Sequence, residues 1–249
     1  MEALATRQAA PFAVELGCGC GAALLGLALR CPSVLGLGLD REPPLVQAAQ
    51  NNAALLGLAE RARFALADIA DAKQLPAVPG LAENGRIAHC DIVLANPPYD
   101  VAGRASPRAL RERALRGGAG IACEKTAGEG REDEQTVRCE SAGGGNALFA
   151  FCRAAAALLR HQGHFFCIYE ARALPRLCTT LEAAGLGVRR VVPVRAKRNQ
   201  PAMRLLVEAR KSAAHDVTLE APLTLHAPAA SGGRPQWTQA ALRFCPWLA

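Results

Sequence analysis

The chain has 249 residues, of which 51% are hydrophobic and 20% are charged, with a formal net charge of +7. A chain of this length and composition can bury a large core, which excludes an intrinsically disordered protein. We find neither an apolar run of the ~20 residues that a membrane span needs nor a secretory signal, so we expect a cytoplasmic protein. The ten cysteines include no Cys-x-x-Cys pair, and we expect reduced core residues rather than a disulfide framework or a metal site.

Short apolar runs alternate with amphipathic stretches in the first hundred residues. The runs predict strands at Phe12–Leu16, Val34–Leu39, Phe64–Leu66 and Asp91–Ala95. Helices are predicted between the first three strands, at Cys20–Arg30 and at about Leu45–Leu56. Strands that alternate with helices predict right-handed βαβ units and a mostly parallel sheet.

The pattern stops at about residues 100–145, which are rich in Arg, Glu and Gly and are predicted to be a long surface insertion. It then resumes with a helix whose apolar stripe runs from Leu148 to Leu159. Further strands are predicted at His164–Tyr169, Val188–Val194 and Met203–Ala209. A helix is predicted at Leu174–Ala184, between the first two of these strands. We therefore predict an α/β domain over residues 1–211, with a seven-stranded, mostly parallel sheet, an antiparallel last strand and helices on both faces. Residues 212–249 are predicted to be a C-terminal extension that packs on the same domain.

The positive charge is concentrated in two places. The first basic cluster (Arg104–Arg116) has five cations and one acid, and the second basic cluster (Arg189–Lys211) has eight cations and one acid. Two such clusters favour a polyanionic partner such as a nucleic acid. The alternative is ordinary solvated surface charge.

A glycine-rich turn follows the first predicted strand. The sequence Glu15-Leu-Gly17-Cys-Gly19-Cys-Gly21 ends a strand in an acid and places glycines at every second position into a helix. Glycines let a ligand approach the helix N-terminus closely. The dinucleotide fingerprint fits only loosely, because Ala22 takes the place of its third glycine. The acid instead suits a cationic ligand such as S-adenosylmethionine, which has no phosphate; the alternative is a plain tight turn.

Two acids end the next two strands. Asp40 lies 19 residues after Gly21, where a carboxylate can accept hydrogen bonds from both ribose hydroxyls of an adenosine cofactor. Asp68 can accept from the adenine amino group, with Ile69 packed on the ring. For each acid the alternative is a helix cap.

The fourth strand delivers Asn96-Pro97-Pro98-Tyr99. The two prolines stiffen the backbone and remove two N–H donors. The side-chain oxygen of Asn96 and the carbonyl of Pro97 can then both accept from one planar NH2 group, and Tyr99 can stack on the group that carries it. Such a site acts mostly by orientation. The alternative is a rigid turn.

Together these motifs resemble the class I S-adenosylmethionine-dependent methyltransferases that methylate amino groups. That group includes adenine-N6 methyltransferases of DNA and RNA and the glutamine methyltransferases of release factors. The order and spacing resemble in particular the bacterial tRNA1(Val) (adenine(37)-N6)-methyltransferase family. A stretch at Val192–Val207, followed by Pro222–Leu225, is similar to the C-terminal hairpin and terminal strand of that family.

The resemblance implies a Rossmann-like fold, S-adenosyl-L-methionine as cofactor, and N6-methylation of an adenine in tRNA or another structured RNA held by the two basic clusters. It implies that Gly17, Gly19 and Gly21 cradle the methionine part of the cofactor. Asp40 would hold the ribose and Asp68 the adenine, while Asn96 and Tyr99 would hold the target base. The alternatives are a protein glutamine N5-methyltransferase acting on release factors and a non-catalytic RNA-binding protein that keeps the fold.

Overall fold

The computed structural model describes residues 10–70, 75, 78–83, 86, 87, 89–99, 143–227 and 236–246. The predicted insertion at residues 100–145, with the first basic cluster, lies outside the described residues except for the start of a helix at Gly143. In the described ranges, no helix is long and apolar enough to cross a membrane.

The helices and strands follow the predicted order. The strands are β1 (Phe12–Leu16), β2 (Leu35–Asp40), β3 (Ala62–Leu66), β4 (Ala82–Glu83), β5 (Arg86–Ile87), β6 (Cys90–Ala95), β7 (Leu159–Glu170), β8 (Leu186–Arg195), β9 (Arg204–Lys211), β10 (Thr218–Leu219) and β11 (Leu223–Thr224). The helices are α1 (Ala22–Arg30), α2 (Pro43–Leu55), α3 (Gly143–Leu158), α4 (Leu174–Ala183) and α5 (Gln239–Phe244). A short 3-10 turn at Ala171–Ala173 precedes α4.

The main sheet has the strand order β10-β8-β9-β7-β6-β1-β2-β3, and β11 also pairs with β8. All its pairs are parallel except those of β9, which runs antiparallel to both β7 and β8. The predicted mostly parallel sheet with an antiparallel last strand is therefore confirmed. The main sheet has nine described strands rather than the seven predicted, because β10 and β11, of two residues each, extend it beside β8.

Helices cover both faces of the sheet, as predicted. Ala13 packs in one core cluster with side chains of α1 and α2, among them Leu24 and Ala49. Its neighbour Val14 packs in a second cluster with side chains of α3 and α4, among them Leu148 and Leu177. Because successive residues of a strand point to opposite faces, β1 lies in the middle layer of three.

The strand predicted at His164–Tyr169 begins earlier than expected. The helix α3 ends at Leu158, and Leu159, which we placed on the helical stripe, pairs in the sheet with Cys90. The register with β6 shifts before Ile92 pairs with His164, and Gln162 adopts a left-handed φ of 60° at this irregularity. A buried leucine satisfies a helix stripe or a sheet position equally well, so the local pattern did not separate them.

Candidate active site

The predicted site residues meet at the carboxyl ends of β1, β2, β3 and β6. All of them except Gly21 line one cavity of about 1150 Å³: Glu15, Gly17, Gly19, Asp40, Asp68, Ile69, Asn96, Pro97, Pro98 and Tyr99. Parallel strands bring their carboxyl ends to one edge, which is where open α/β sheets bind ligands.

The glycine turn leaves its backbone open to this cavity at Gly19. This residue has a left-handed φ of +55°, and a Cβ built on it meets no described atom within 4 Å. At Gly17 (φ +63°) a Cβ would lie 3.0 Å from the ring of Phe151, on α3. The turn therefore packs against α3 at its first glycine and can admit a ligand at its second.

Gly21 is not among the residues that line this cavity, although its neighbours Cys20 and Ala22 are. Its φ is +84°, and a Cβ on it would lie 2.7 Å from the ring of Phe64 and 3.2 Å from Ala49. It precedes α1 as the N-cap residue. Packing and helix geometry account for this position, and the cofactor-cradling role that the resemblance implies for Gly21 stays a prediction.

Glu15 is a buried acid in the cavity wall, with only 6% of its surface exposed. Its Oε2 accepts a hydrogen bond from the backbone N–H of Leu24 in the first turn of α1, at 3.0 Å. Burial raises the pKa of its carboxyl to about 7, and the charge of Asp40 raises it further, whereas the hydrogen bonds from α1 lower it.

Asp40 is also buried, at 8% exposure, and both of its oxygens bind backbone. Its Oδ2 accepts from the N–H of Gly19 at 2.8 Å, and its Oδ1 accepts from the N–H of Glu42 at 3.0 Å. Each oxygen keeps a second lone pair for a ligand. Among the described residues, neither Glu15 nor Asp40 makes a salt bridge. Two such acids beside an open turn suit a cationic ligand.

Asp68 is half-buried and makes a local hydrogen bond of the kind expected if it acts as a helix cap. Its Oδ1 accepts from the N–H of Ala70 at 3.0 Å, as a capping or turn-forming aspartate does. It also lines the cavity beside Ile69, so the structure is compatible with both readings.

Asn96 lies exposed at the mouth of the cavity, whereas Tyr99 is only 9% exposed. Tyr99 Oη donates a hydrogen bond to Asn96 Oδ1 at 2.5 Å. The guanidinium of Arg204 lies over the Tyr99 ring, 4.5 Å from its centroid, and the Tyr169 ring packs against it at 68°. The phenol that we expected as a stacking surface is therefore covered on one face and engaged in orienting the asparagine.

The cavity lining also contains residues that sequence reasoning missed. It is lined by apolar side chains of the sheet, Phe166 and Ile168 from β7, Val192 from β8 and Leu206 from β9, and by Phe244 and Cys245 at the end of α5. The sequence from Phe165 to Tyr169 is apolar on both faces of the strand, so no local pattern separates Phe166 and Ile168 from their buried neighbours. For Phe244 we find no local signal, since it lies more than 200 residues from the glycine turn.

The second basic cluster is largely bonded within the protein. Arg189 pairs with Asp216, and Arg190 pairs with Glu208 at 3.0 Å. Arg195 donates to Thr224, and Lys211 donates to the carbonyl of Leu159. Lys197 and Arg198, in the turn between β8 and β9, are exposed. Binding of a polyanion by the two basic clusters stays a prediction.

The chain is similar to known proteins over part or most of its length. No protein-family model matches the chain. A release factor glutamine methyltransferase from Rhodospirillum rubrum is 38% identical over 113 residues, which are 43% of this chain and 30% of that protein. A predicted O-methyltransferase from Agrobacterium tumefaciens has a TM-score of 0.62 at 18% identity, over 94% of this chain and 88% of that one. TrmN from Thermus thermophilus has a TM-score of 0.48 at 20% identity, over 83% of this chain and 46% of that one.

The likeness to the Agrobacterium protein extends over nearly the whole chain, and the strand directions and helix layers agree with the prediction. The chain therefore has the Rossmann-like α/β fold of the class I S-adenosylmethionine-dependent methyltransferases.

Proposed function

We propose that the protein binds S-adenosyl-L-methionine and transfers a methyl group to the nitrogen of a planar NH2 group. The observation that carries the proposal is the convergence of an acid-lined glycine turn and an Asn-Pro-Pro-Tyr corner on one cavity. S-adenosylmethionine, when bound, supplies a methyl group made electrophilic by a sulfonium.

The residues at the glycine turn fit this cofactor. Glu15 and Asp40 are buried acids, and within the described residues neither has a cationic partner, which favours a ligand with positive charge. Gly19 leaves the backbone open for the methionine part. We assign the ribose hydroxyls to Asp40 and the adenine to Asp68 and Ile69, which line the same cavity.

The Asn-Pro-Pro-Tyr corner binds and orients the acceptor nitrogen. Asn96 Oδ1 receives one hydrogen bond from Tyr99 and has a second lone pair for an N–H of the substrate. The Pro97 carbonyl takes the other N–H, because proline leaves no donor of its own at this corner. The two acceptors hold the NH2 group in one orientation, and orientation of this kind supplies much of the rate.

We propose a glutamine side-chain amide of a protein as the acceptor. The relative from Rhodospirillum rubrum is named a release factor glutamine methyltransferase. Its 38% identity to this chain over 113 residues supports a glutamine side chain as the acceptor. The geometry of Tyr99 agrees, since a buried ring covered by Arg204 leaves less surface for stacking a base. An amide needs the two acceptors but no aromatic platform.

The second candidate is the N6 of an adenine in tRNA, of the tRNA1(Val) adenine-37 type that the sequence resembles. The exposed Lys197 and Arg198 and the first basic cluster favour it. A target base would have to leave its stack to reach Asn96. Phosphate contacts of these cations would make binding weaken steeply with salt.

One experiment separates the candidates. The protein is incubated with methyl-labelled S-adenosylmethionine and either a release factor or total tRNA, with Asn96→Ala as the test variant and the exposed Asn51→Ala, on α2, as the matched control. We expect label in the release factor and a loss of about 100-fold or more in Asn96→Ala. Label in tRNA alone would show that the acceptor is an RNA base and not a glutamine side chain.

Calorimetry with S-adenosylmethionine separates an enzyme from an RNA-binding protein that only keeps the fold. We expect saturable binding by the wild-type chain. A chain that fails to bind the cofactor at millimolar concentration would not be a methyltransferase.

A further inference from the structure

Three strands bring one arginine onto the Asn-Pro-Pro-Tyr corner. Arg204 is the first residue of β9, whose backbone pairs with Glu170 of β7 on one side and Val194 of β8 on the other. Its guanidinium lies 4.5 Å from the centre of the ring of Tyr99, which follows β6. The backbone of Arg204 is therefore held on both sides, while its side chain contacts the Tyr99 ring.

We propose that Arg204 is a positioning residue for methyl transfer, which acts through Tyr99 to hold the carboxamide of Asn96 in its accepting orientation. The inference rests on the proposed function, because it assigns a role at the same acceptor site. Nothing in the motif pattern indicates this arginine, which lies 105 residues after Tyr99 in the chain.

The first step of the argument is geometric. The Asn96 side chain is exposed, and a carboxamide in solvent turns freely. The described contacts give it one restraint, the hydrogen bond from Tyr99 Oη. That phenol is held in turn by Arg204 over its ring and by the Tyr169 ring against it. A change at Arg204 therefore reaches the acceptor oxygen through one aromatic ring.

The second step is electrostatic. A guanidinium over an aromatic face withdraws negative charge from the ring, which makes the phenol O–H a stronger donor. Burial raises the pKa of Tyr99, and Glu170 and Cys167 also raise it, whereas the charge of Arg204 and its hydrogen bond to the phenol lower it. Arg204 thus opposes the effect of burial on the group that donates to Asn96.

A double-mutant cycle tests whether Arg204 acts through the phenol. We expect Arg204→Met to lower kcat about tenfold, with the affinity for S-adenosylmethionine unchanged, and Arg204→Lys to recover part of the loss. In a Tyr99→Phe background, the same substitution should have little further effect, because the hydroxyl is already absent. Equal losses from Arg204→Met in both backgrounds would overturn the proposal, since they would indicate a merely structural role.

Spectroscopic titration gives a readout that does not depend on activity. The chain has two tyrosines, so in a Tyr169→Phe background the tyrosinate absorbance reports Tyr99 alone. We expect Arg204→Met to move this titration to higher pH and Arg204→Lys to move it less. Circular dichroism at each pH confirms that the fold is retained. A titration that Arg204→Met leaves unchanged would contradict the inference.

The matched control is Arg153→Met, on α3. Arg153 lies 5.6 Å from the centre of the Phe149 ring, so the substitution removes a similar cation–π pair away from the corner. We expect it to leave both kcat and the Tyr99 titration as in wild type. If the wild-type chain transfers no methyl group, the proposed function fails, while the titration still decides whether Arg204 governs Tyr99.

Discussion

Asp40 accepts a hydrogen bond from the backbone N–H of Gly19 at 2.8 Å, which ties the end of β2 to the glycine turn after β1. Its other oxygen accepts from the N–H of Glu42 at 3.0 Å, at the start of α2. One carboxylate therefore holds the turn in shape and places negative charge in the cavity.

Asp40→Asn tests both roles. Asparagine removes the charge and turns an NH2 group toward one of the two backbone donors. We expect the affinity for S-adenosylmethionine to fall about 10- to 100-fold, which is the range of a charge-assisted hydrogen bond. Calorimetry measures the affinity of the variant for S-adenosylmethionine. Asp216→Asn, at an exposed position paired with Arg189, is the control and should bind as wild type does; equal affinity of the two variants would refute the role of Asp40.

Glu15 predicts a pH dependence of cofactor affinity. Its carboxyl has a pKa of about 7 in the protein, so it is largely neutral at pH 6 and charged at pH 8. A cationic ligand binds the charged form better, and the affinity should therefore rise as the pH increases through about 7. Calorimetry from pH 6 to pH 8 measures the rise, which Glu15→Gln should abolish. The same slope in both proteins would contradict the assignment.

The same shift predicts the opposite trend in stability. The pKa is raised from 4.5 in the unfolded chain to about 7, so the folded protein binds the proton more tightly between these values. The contribution to stability is present below pH 4.5 and is lost as the pH rises through about 7, at a cost of about 3 kcal/mol. Chemical denaturation should therefore show Glu15→Gln more stable than wild type at pH 8. If Glu15→Gln were no more stable than wild type at pH 8, Glu15 would not carry a destabilising buried charge at that pH.

Alanine substitutions at Gly21 and Gly57 separate the cost of overpacking from the cost of a positive φ. Both have positive φ, but a Cβ at Gly21 would meet Phe64 at 2.7 Å, whereas at Gly57 it meets no described atom within 4 Å. We expect Gly57→Ala to cost about 1 kcal/mol and Gly21→Ala about 2–4 kcal/mol of unfolding free energy, because the second also overpacks the core. Denaturant titration measures both.

The affinity of Gly21→Ala for S-adenosylmethionine then tests the role of this glycine. Because Gly21 is not in the cavity wall, the folded variant should bind the cofactor as wild type does. Loss of binding with unchanged stability would instead support the cofactor-cradling role that the resemblance implies for Gly21.

Phe244 gives a prediction about the C-terminal helix. It is 57% exposed, lines the cavity, and its carbonyl accepts from Arg30 Nη1 at 2.6 Å. We expect Phe244→Ala to lower kcat/KM about threefold to tenfold while the free energy of unfolding stays within about 0.5 kcal/mol of wild type. Leu55→Ala, at a leucine that is 85% exposed, is the control in both assays. Identical behaviour of the two variants would exclude Phe244 from the site.

Much of the candidate site was predictable because its residues follow strands directly. Glu15, Asp40 and Asn96 end or follow β1, β2 and β6, and alternation of strands and helices is a local signal. Parallel strands then bring those positions to one edge whatever the rest of the fold does. The start of β7 was less predictable, since Leu159 suits a helix stripe and a sheet position equally.

The sequence by itself determined the order of the elements, the parallel sheet and the edge at which Gly19 and Asn96 meet, because these follow from short-range periodicity and chain direction. Only the tertiary structure decided that Arg204 covers Tyr99, that Phe244 enters the cavity and that Gly21 faces Phe64. Each of these contacts joins segments far apart in the chain. The packing that selects such contacts depends on the shapes of both partners, which a local pattern does not contain.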